Sequence, residues 1–409
     1  MKTIKLKKLP LEGIKVIDAA SYIAAPLVSA LMSDYGAEVI KIESPTGDTY
    51  REAVIGGHVW PESNIDWAFI LENRNKRSLS IDLKTTTGQT ILKKLVKESD
   101  VFVTNMPEKP RKTLKITEKI IRNINPRIIY ASLTSFGEKG PDSKRTALDS
   151  TAYYARSGLM EWSKTNNPEY YPPFPIPGGG DHPTGLSLFT AILLALITRE
   201  KTGAGTTVST SLLANGIWSN AMLIQALLAR HNPIDTFHWN NLSALRNVYI
   251  LKDNSMFFIL LINEEKHWNL FIKKLNIEYL NKDKRFNNEK KRQNNRDLLK
   301  IELQKRFKKF TYKEIEKKLS NTGIIFTKIA KTEDTISDAQ TNLNNMFMPI
   351  HGEKISNLKV VSPPLNIKNT PRKKAKKAPK LGEHNKEILQ ELGYSIKKIK
   401  ELKTKKIIL

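Results

Sequence analysis

Three consecutive glycines followed by an aspartate, Gly178-Gly179-Gly180-Asp181, form the segment of this chain best suited to chemistry. Glycines let a backbone approach a ligand closely and present N–H groups to an anion. Asp181 stands where a long apolar segment begins, and Pro183 fits the first turn of a helix there. Asp is also a favoured helix cap. The types and spacing therefore admit two roles, a cap and an ionised carboxylate that attacks an acyl group, and one residue can fill both. Other chemistries find little foothold. The absence of cysteine removes thiol nucleophiles, thiolate metal sites and disulfides. The seven histidines show no ligand spacing, and no phosphate loop, dinucleotide-binding glycine motif, His-Glu-x-x-His or Gly-x-Ser-x-Gly is present. Neither a metal nor a prosthetic group is expected.

The elements that must hold this turn alternate between strand and helix. Gly13–Asp18, Ala37–Glu43, Leu79–Leu83, Asp100–Thr104 and Arg127–Leu133 read as short buried strands. Ala24–Tyr35 and Thr87–Glu98 read as helices between them, with Pro26 tolerated in a first turn. That alternation predicts an α/β fold with a parallel sheet. Pro172–Pro177 must be irregular, and an apolar helix follows over Leu186–Ile197. Its apolar run is shorter than the ~18–20 residues of a membrane span. Val208–Ala229 reads as further helix. Asn247–Asn263 reads as a hairpin, Lys266–Ser320 as charged helices and Thr322–Ala330 as a strand. The change of character near Asn232 predicts a small α+β domain over 232–345. A large domain then combines 1–231 with 346–409. Asn385–Leu402 is amphipathic.

At 409 residues the chain has room for about two domains. Its net charge of +26 permits nucleic-acid binding, but the basic residues are spread along the chain and no nucleic-acid-binding motif organises them. Solvated lysine-rich faces, or a site for a small polyanion, explain the charge as well. The basic run Arg372–Lys380 reads as a solvated linker, with phosphate contact as the alternative. The basic start, Met1–Pro10, has no apolar stretch behind it, so a soluble cytoplasmic protein is expected.

Several segments, taken in order, resemble the family III CoA-transferases. They are Leu11–Asp18 with Ala24-Ala25-Pro26, Gly36–Pro45, Asn75-Lys76-Arg77-Ser78, Asp100–Asn105, Asn125–Tyr130, Ser135–Pro141, Gly180–Gly185 and Leu381–His384. The resemblance implies a Rossmann-like large domain built from both chain ends, a smaller α+β domain, and two interlocked copies forming a homodimer. It implies coenzyme A and acyl-CoA as substrates, with a free carboxylic acid as the other partner. It makes Asp181 the nucleophile, carrying first an acyl anhydride and then CoA as a thioester. Such intermediates need water excluded and N–H donors for their oxyanions. Ile23, Ala24, Gly179 and Gly180 are the candidates for that. Lys76 is implied near the CoA phosphates, Asn105 at CoA and Phe136 near the pantetheine arm. The residue types alone also allow a solvated lysine, a turn asparagine and a core aromatic. Ile23 departs from the glutamine common in the family, and Trp239–Ser243 lacks a glycine-rich lid, which speaks against oxalate or formate. The racemase branch places a histidine where Leu148 stands, and leucine cannot move a proton. Tyr22–Pro26 and Ala152–Gly158 lean toward 2-hydroxy acids, and Tyr153, Tyr154 and Trp162 suit an aromatic or branched acid.

Overall fold

The computed structural model describes residues 9–59, 61–163, 172–231, 243–352 and 355–409. The basic stretch 1–8 and most of the Trp239–Ser243 segment lie outside the described residues. Two compact units emerge. One is drawn from 9–163, 172–225 and 344–409, the other from 226–343.

The large unit is organised by strands β1 (Lys15–Ala19), β2 (Glu38–Glu43), β3 (Arg77–Ser80), β4 (Val101–Thr104), β5 (Ile129–Thr134) and β6 (Thr207–Ser211). They form one six-stranded sheet in the order β3-β2-β1-β4-β5-β6, with every pairing parallel. Parallel strands covered on both faces become continuous apolar runs, and Val101, Phe102 and Val103 are each fully buried. On one face, helix α1 (Ala24–Asp34) and the Asp181–Thr202 helix bury Val28, Leu31, Leu188 and Ile192. On the other, Ile91 and Val96 pack with Ile388, Leu389 and Leu402 from the far end of the chain. The late segment is also hydrogen-bonded in: Ser80 N donates to Asn385 Oδ1 at 2.8 Å, and Asp82 N to Ile407 O at 2.8 Å.

Three expectations change here. Val208–Ala229 does not begin as helix; Thr207–Ser211 is the sixth strand, at the sheet edge. Its Thr-Val-Ser-Thr-Ser sequence carries β-branched propensity without an apolar stripe. Nor is Arg372–Lys380 a free linker: Ala375–Lys376 pairs with Phe347–His351, Lys373 N donates to Asp34 O at 2.8 Å, and Arg51 Nη1 donates to Pro379 O at 2.9 Å. The apolar helix runs the full 22 residues of Asp181–Thr202, long and apolar enough by composition to cross a membrane. Its inner face nevertheless lies in the core, and Arg199 near its end pairs with Asp100 at 2.9 Å.

Beneath the sheet edge is a lattice of matched charges. Asp18 on β1 is in register with Lys41 on β2. Lys41 Nζ lies 2.9 Å from Asp48 Oδ2 and donates to Ala20 O at 2.8 Å. Lys76 Nζ donates to Asp18 Oδ2 at 2.7 Å, Asn73 Oδ1 at 2.8 Å and Pro26 O at 2.9 Å. Arg74 clamps Asp34 through Nε and Nη2, the latter at 2.6 Å.

The small unit joins the antiparallel strands β7 (Arg246–Ile250), β8 (Met256–Leu260) and β9 (Ile325–Lys328) in the order β7-β8-β9. Helices Glu264–Leu275, Arg296–Phe307 and Tyr312–Leu319 supply Phe271, Phe307 and Leu319 to a core completed by Phe257. Thr311 and Glu314 close the last of these helices with a reciprocal capping box.

Candidate active site

Strand order reverses direction between β1 and β4, and the chain leaves those two strands toward opposite edges. In open α/β sheets a crevice opens at the carboxyl ends of such a pair, and ligands bind there. Here it is bridged by Asn105, which follows β4. Its Oδ1 accepts from Ser21 N at 3.0 Å and its Nδ2 donates to Ser21 O at 2.8 Å. Ala20 O is held from below by Lys41 and Pro26 O by Lys76. The β1–α1 loop is thereby pinned on both sides of Tyr22, which adopts a positive φ of 65°. Ile23 and Ala24 begin α1, and Ala24 and Ala25 have no acceptor for their N–H groups among the described residues. Unpaired N–H groups at a helix start favour negative charge.

The glycine turn sits against this loop. A Cβ at Gly178 would lie 3.9 Å from Ile23 Cδ1, and Gly185 lies against the Ala24 carbonyl, where a Cβ would stand 2.6 Å from the oxygen. Gly180 rests on the Tyr153 ring, and a Cβ there would fall 2.6 Å from Tyr153 Cγ. Tyr153 and Tyr154 belong to a single π-helical turn, Ser150–Ala155, a geometry frequent at functional sites. Asp149, just before it, accepts from Gly180 N at 3.1 Å through Oδ2.

Asp181 is the first residue of its helix and does not cap it; the cap position is Gly180, with no side-chain capping bond. Its half-buried carboxylate has no hydrogen-bond partner among the described residues. Burial, followed by repulsion from Asp149 and Glu72, pushes it up to about 7, with His182 opposing. The carboxylate thus holds its proton more tightly than an ordinary aspartate and ionises as the pH rises through that value. His182 Nε2 donates to Glu72 Oε1 at 2.9 Å. Desolvation lowers the imidazole's pKa, but the Glu72 contact, Asp181 and the Gly178 backbone outweigh it and raise the net value.

The residues expected at the site meet this geometry differently. Ile23, Ala24, Gly179, Gly180 and Asp181 do converge. Gly179 and Gly180 are not free donors, however: Gly179 N donates to Ile176 O at 3.0 Å and Gly180 N to Asp149. Lys76 is not at the surface. Its side chain is fully buried, its ammonium has three internal acceptors, and burial pushes it down to about 8 against the pull of Asp18. Asn105 spends its amide on Ser21, so it shapes the loop. Phe136 is half-buried beneath the Arg145 guanidinium, 5.6 Å from the ring centroid. Glu72 had no signal in the sequence: it lies within α2 (Trp67–Asn73), and only the fold brings it to His182. Leu148 is exposed and apolar, and the one histidine beside Asp181 is committed to Glu72.

A family model described as "CoA-transferase family III" matches residues 11–385. The chain belongs to that family. It is 34% identical over 402 residues to (R)-2-hydroxy-4-methylpentanoate CoA-transferase of Clostridioides difficile, covering 97% of this chain and 99% of the relative. It is 29% identical to cinnamoyl-CoA:phenyllactate CoA-transferase of Clostridium sporogenes, with 97% of each covered. A crystal structure of a CaiB/BaiF family protein from Brucella suis superposes with a TM-score of 0.81 at 28% identity, covering 94% of this chain and all of that one. This family III CoA-transferase therefore acts on CoA thioesters. Among the described residues no group of three or more His, Asp or Glu is placed to hold a metal ion.

Proposed function

We propose that the enzyme moves CoA from an acyl-CoA to a branched or aromatic 2-hydroxy acid, or a closely related acid, through covalent intermediates on Asp181. The observation that carries this reading is the Asp181 carboxylate itself. It is half-buried, without a hydrogen-bond partner among the described residues, and follows a glycine turn whose Gly178 faces the Ile23 side chain at the start of α1. Such a carboxylate is more basic than an ordinary aspartate and poorly solvated, both of which favour attack. In the first step an Asp181 oxygen bonds to the thioester carbon and the C–S bond breaks, giving an acyl-aspartyl anhydride and CoA thiolate. The thiolate then bonds to Asp181 Cγ and the donor acid leaves as its carboxylate. The acceptor carboxylate reverses both steps, and no net proton is exchanged. Ala24 and Ala25 N–H groups stabilise the tetrahedral oxyanions.

The acid class is supported by the relatives acting on 4-methylpentanoate and phenyllactate skeletons. Tyr153 and Tyr154 beside the turn support it as well. The family resemblance implies an interlocked homodimer, and exposed Leu194, Ile197, Ile217, Trp218 and Met222 on helices of the large unit offer apolar surface to a second copy. An active monomer in sedimentation would remove that part.

Intact mass after mixing with a panel of acyl-CoAs, for wild type and Asp181→Ala, tests the chemistry. An acyl or CoA adduct on Asp181, absent from the variant, is the expected result. Turnover of the same thioesters by Asp181→Ala at the wild-type rate would overturn it.

A further inference from the structure

We propose that the Tyr154 hydroxyl recognises the 2-hydroxyl of the acid partner, which makes Tyr154 a specificity-determining residue of the Asp181 site. This rests on Asp181 being the nucleophile and on the acid class proposed above.

The glycine turn is shaped around two tyrosines whose hydroxyls are put to different uses. Gly180 rests on the Tyr153 ring, and the Tyr153 hydroxyl is already engaged, with Oη 2.6 Å from Ser219 Oγ. At Gly179 the neighbour is the Tyr154 hydroxyl itself, which fills the space a Cβ would take. The π-helical turn Ser150–Ala155 carries both rings to this place. They meet edge to face with centroids 4.9 Å apart, so the anchored Tyr153 ring steadies its neighbour. Tyr154 Oη has no hydrogen-bond partner among the described residues, and it is not enclosed. A phenol set against a bare α-carbon gains nothing from its hydroxyl within the chain, whereas a polar group on a ligand would satisfy it.

The direction of the nucleophile brings that ligand to Tyr154. Asp181 is the first residue of its helix, and helical side chains lean toward the helix N-terminus. Its carboxylate therefore leans back over Gly178–Gly180, the turn on which Tyr154 Oη rests. In an acyl-aspartyl anhydride the 2-hydroxyl oxygen stands two bonds from the carbonyl carbon joined to Asp181. A hydroxyl there must lie close to the same turn, and a 2-deoxy acid would leave the phenol unpaired. Burial, followed by Tyr153, Asp149 and Asp181, pushes the Tyr154 phenol up. It therefore keeps its proton and donates to the 2-hydroxyl oxygen. Tyr153 supplies only its ring.

The test is kcat/KM for CoA transfer to 4-methylpentanoate and 3-phenylpropanoate, each with and without a 2-hydroxyl, using full-length protein and the acyl-CoA that modifies wild type. Wild type should prefer the 2-hydroxy acid of the skeleton it accepts. In Tyr154→Phe, kcat/KM for that acid should fall about tenfold or more, and for its 2-deoxy counterpart stay within about twofold. Tyr153→Phe removes a hydroxyl that faces Ser219 and should leave the hydroxy-to-deoxy ratio as in wild type. A wild type without preference for the 2-hydroxyl, an equal loss on both acids in Tyr154→Phe, or the same change of ratio in Tyr153→Phe overturns the proposal. Wild type that forms no adduct on Asp181 removes the transferase mechanism and this role with it. An adduct in wild type with an unmoved ratio in Tyr154→Phe removes only the role of Tyr154.

Discussion

Buried charge is handled in opposite ways in two regions of the large unit. Under β1–β3, Asp18, Asp34 and Asp48 face Lys76, Arg74 and Lys41 one for one, and both Asp18 oxygens are engaged. Around the glycine turn, among the described residues, Asp181 is surrounded by Asp149 and Glu72, with the His182 imidazole opposing them. Both regions are desolvated, so the difference lies in matching. A matched set gives each buried charge an opposite partner and holds the chain in place. An undermatched set stores unfavourable charge where reactivity needs it, and perturbed acids of this kind concentrate at functional sites. The two regions also touch through the chain: Lys41 and Lys76 grip the carbonyls of Ala20 and Pro26, on either side of Ile23 and Ala24.

Four substitutions probe this contrast. Asp181→Asn should lower CoA transfer by on the order of 10⁴-fold or more, as loss of a covalent nucleophile does, measured as steady-state turnover. Asp18→Asn leaves the Lys76 ammonium without its counter-charge and should cost about 3 kcal/mol, read from the urea midpoint of the large unit. Adding Lys76→Met should recover more than half of that loss, and a double variant no better than the single one would contradict the matched-lattice view. Gly180→Ala drives a methyl into the Tyr153 ring and should lower kcat about 10²-fold by misplacing Asp181, with the KM for the thioester little changed. The smallest effect is on stability. Asp181 sits at about 7 in the folded chain against about 3.9 when unfolded. The folded state therefore binds the extra proton between those values. Stability from this group is complete below about pH 4 and is lost as pH rises through 7. Asp181→Asn should then stabilise the protein at pH 8 by about 1 kcal/mol after solvent screening, and the gain should vanish near pH 4. A gain equal at both pH values would mean that charge is not its cause.

What the sequence shows of all this follows from what each residue needs in order to be recognised. Strands β1, β2, β4 and β5 are legible because a doubly covered parallel strand must be apolar throughout. β3 is legible only at its end, since Arg77 and Ser78 begin it. β6 escapes because its Thr and Ser residues give no apolar stripe, and Ala375–Lys376 escapes because two residues carry no period. Asp181 is marked by its glycines and by the family resemblance. The use of those glycines is not: nothing in the order of residues shows that Asp149 and the Ile176 carbonyl take the Gly180 and Gly179 N–H groups. Lys76 shows the same limit, because a lysine in a polar tetrapeptide looks solvated until the fold encloses it.

The late residues that fill one face of the sheet also bear on biosynthesis. Ile388, Leu389 and Leu402 complete a core begun by Ile17, Leu79 and Phe102, yet the whole segment 226–343 is translated in between. At translation rates of about 5–20 residues per second, the early strands wait many seconds on the ribosome with an apolar face uncovered. The inserted small unit, whose own core draws only on nearby residues, can close first. Nascent chains stalled before Asn385 should therefore recruit holding chaperones through the early sheet, and release them once the closing helices have emerged.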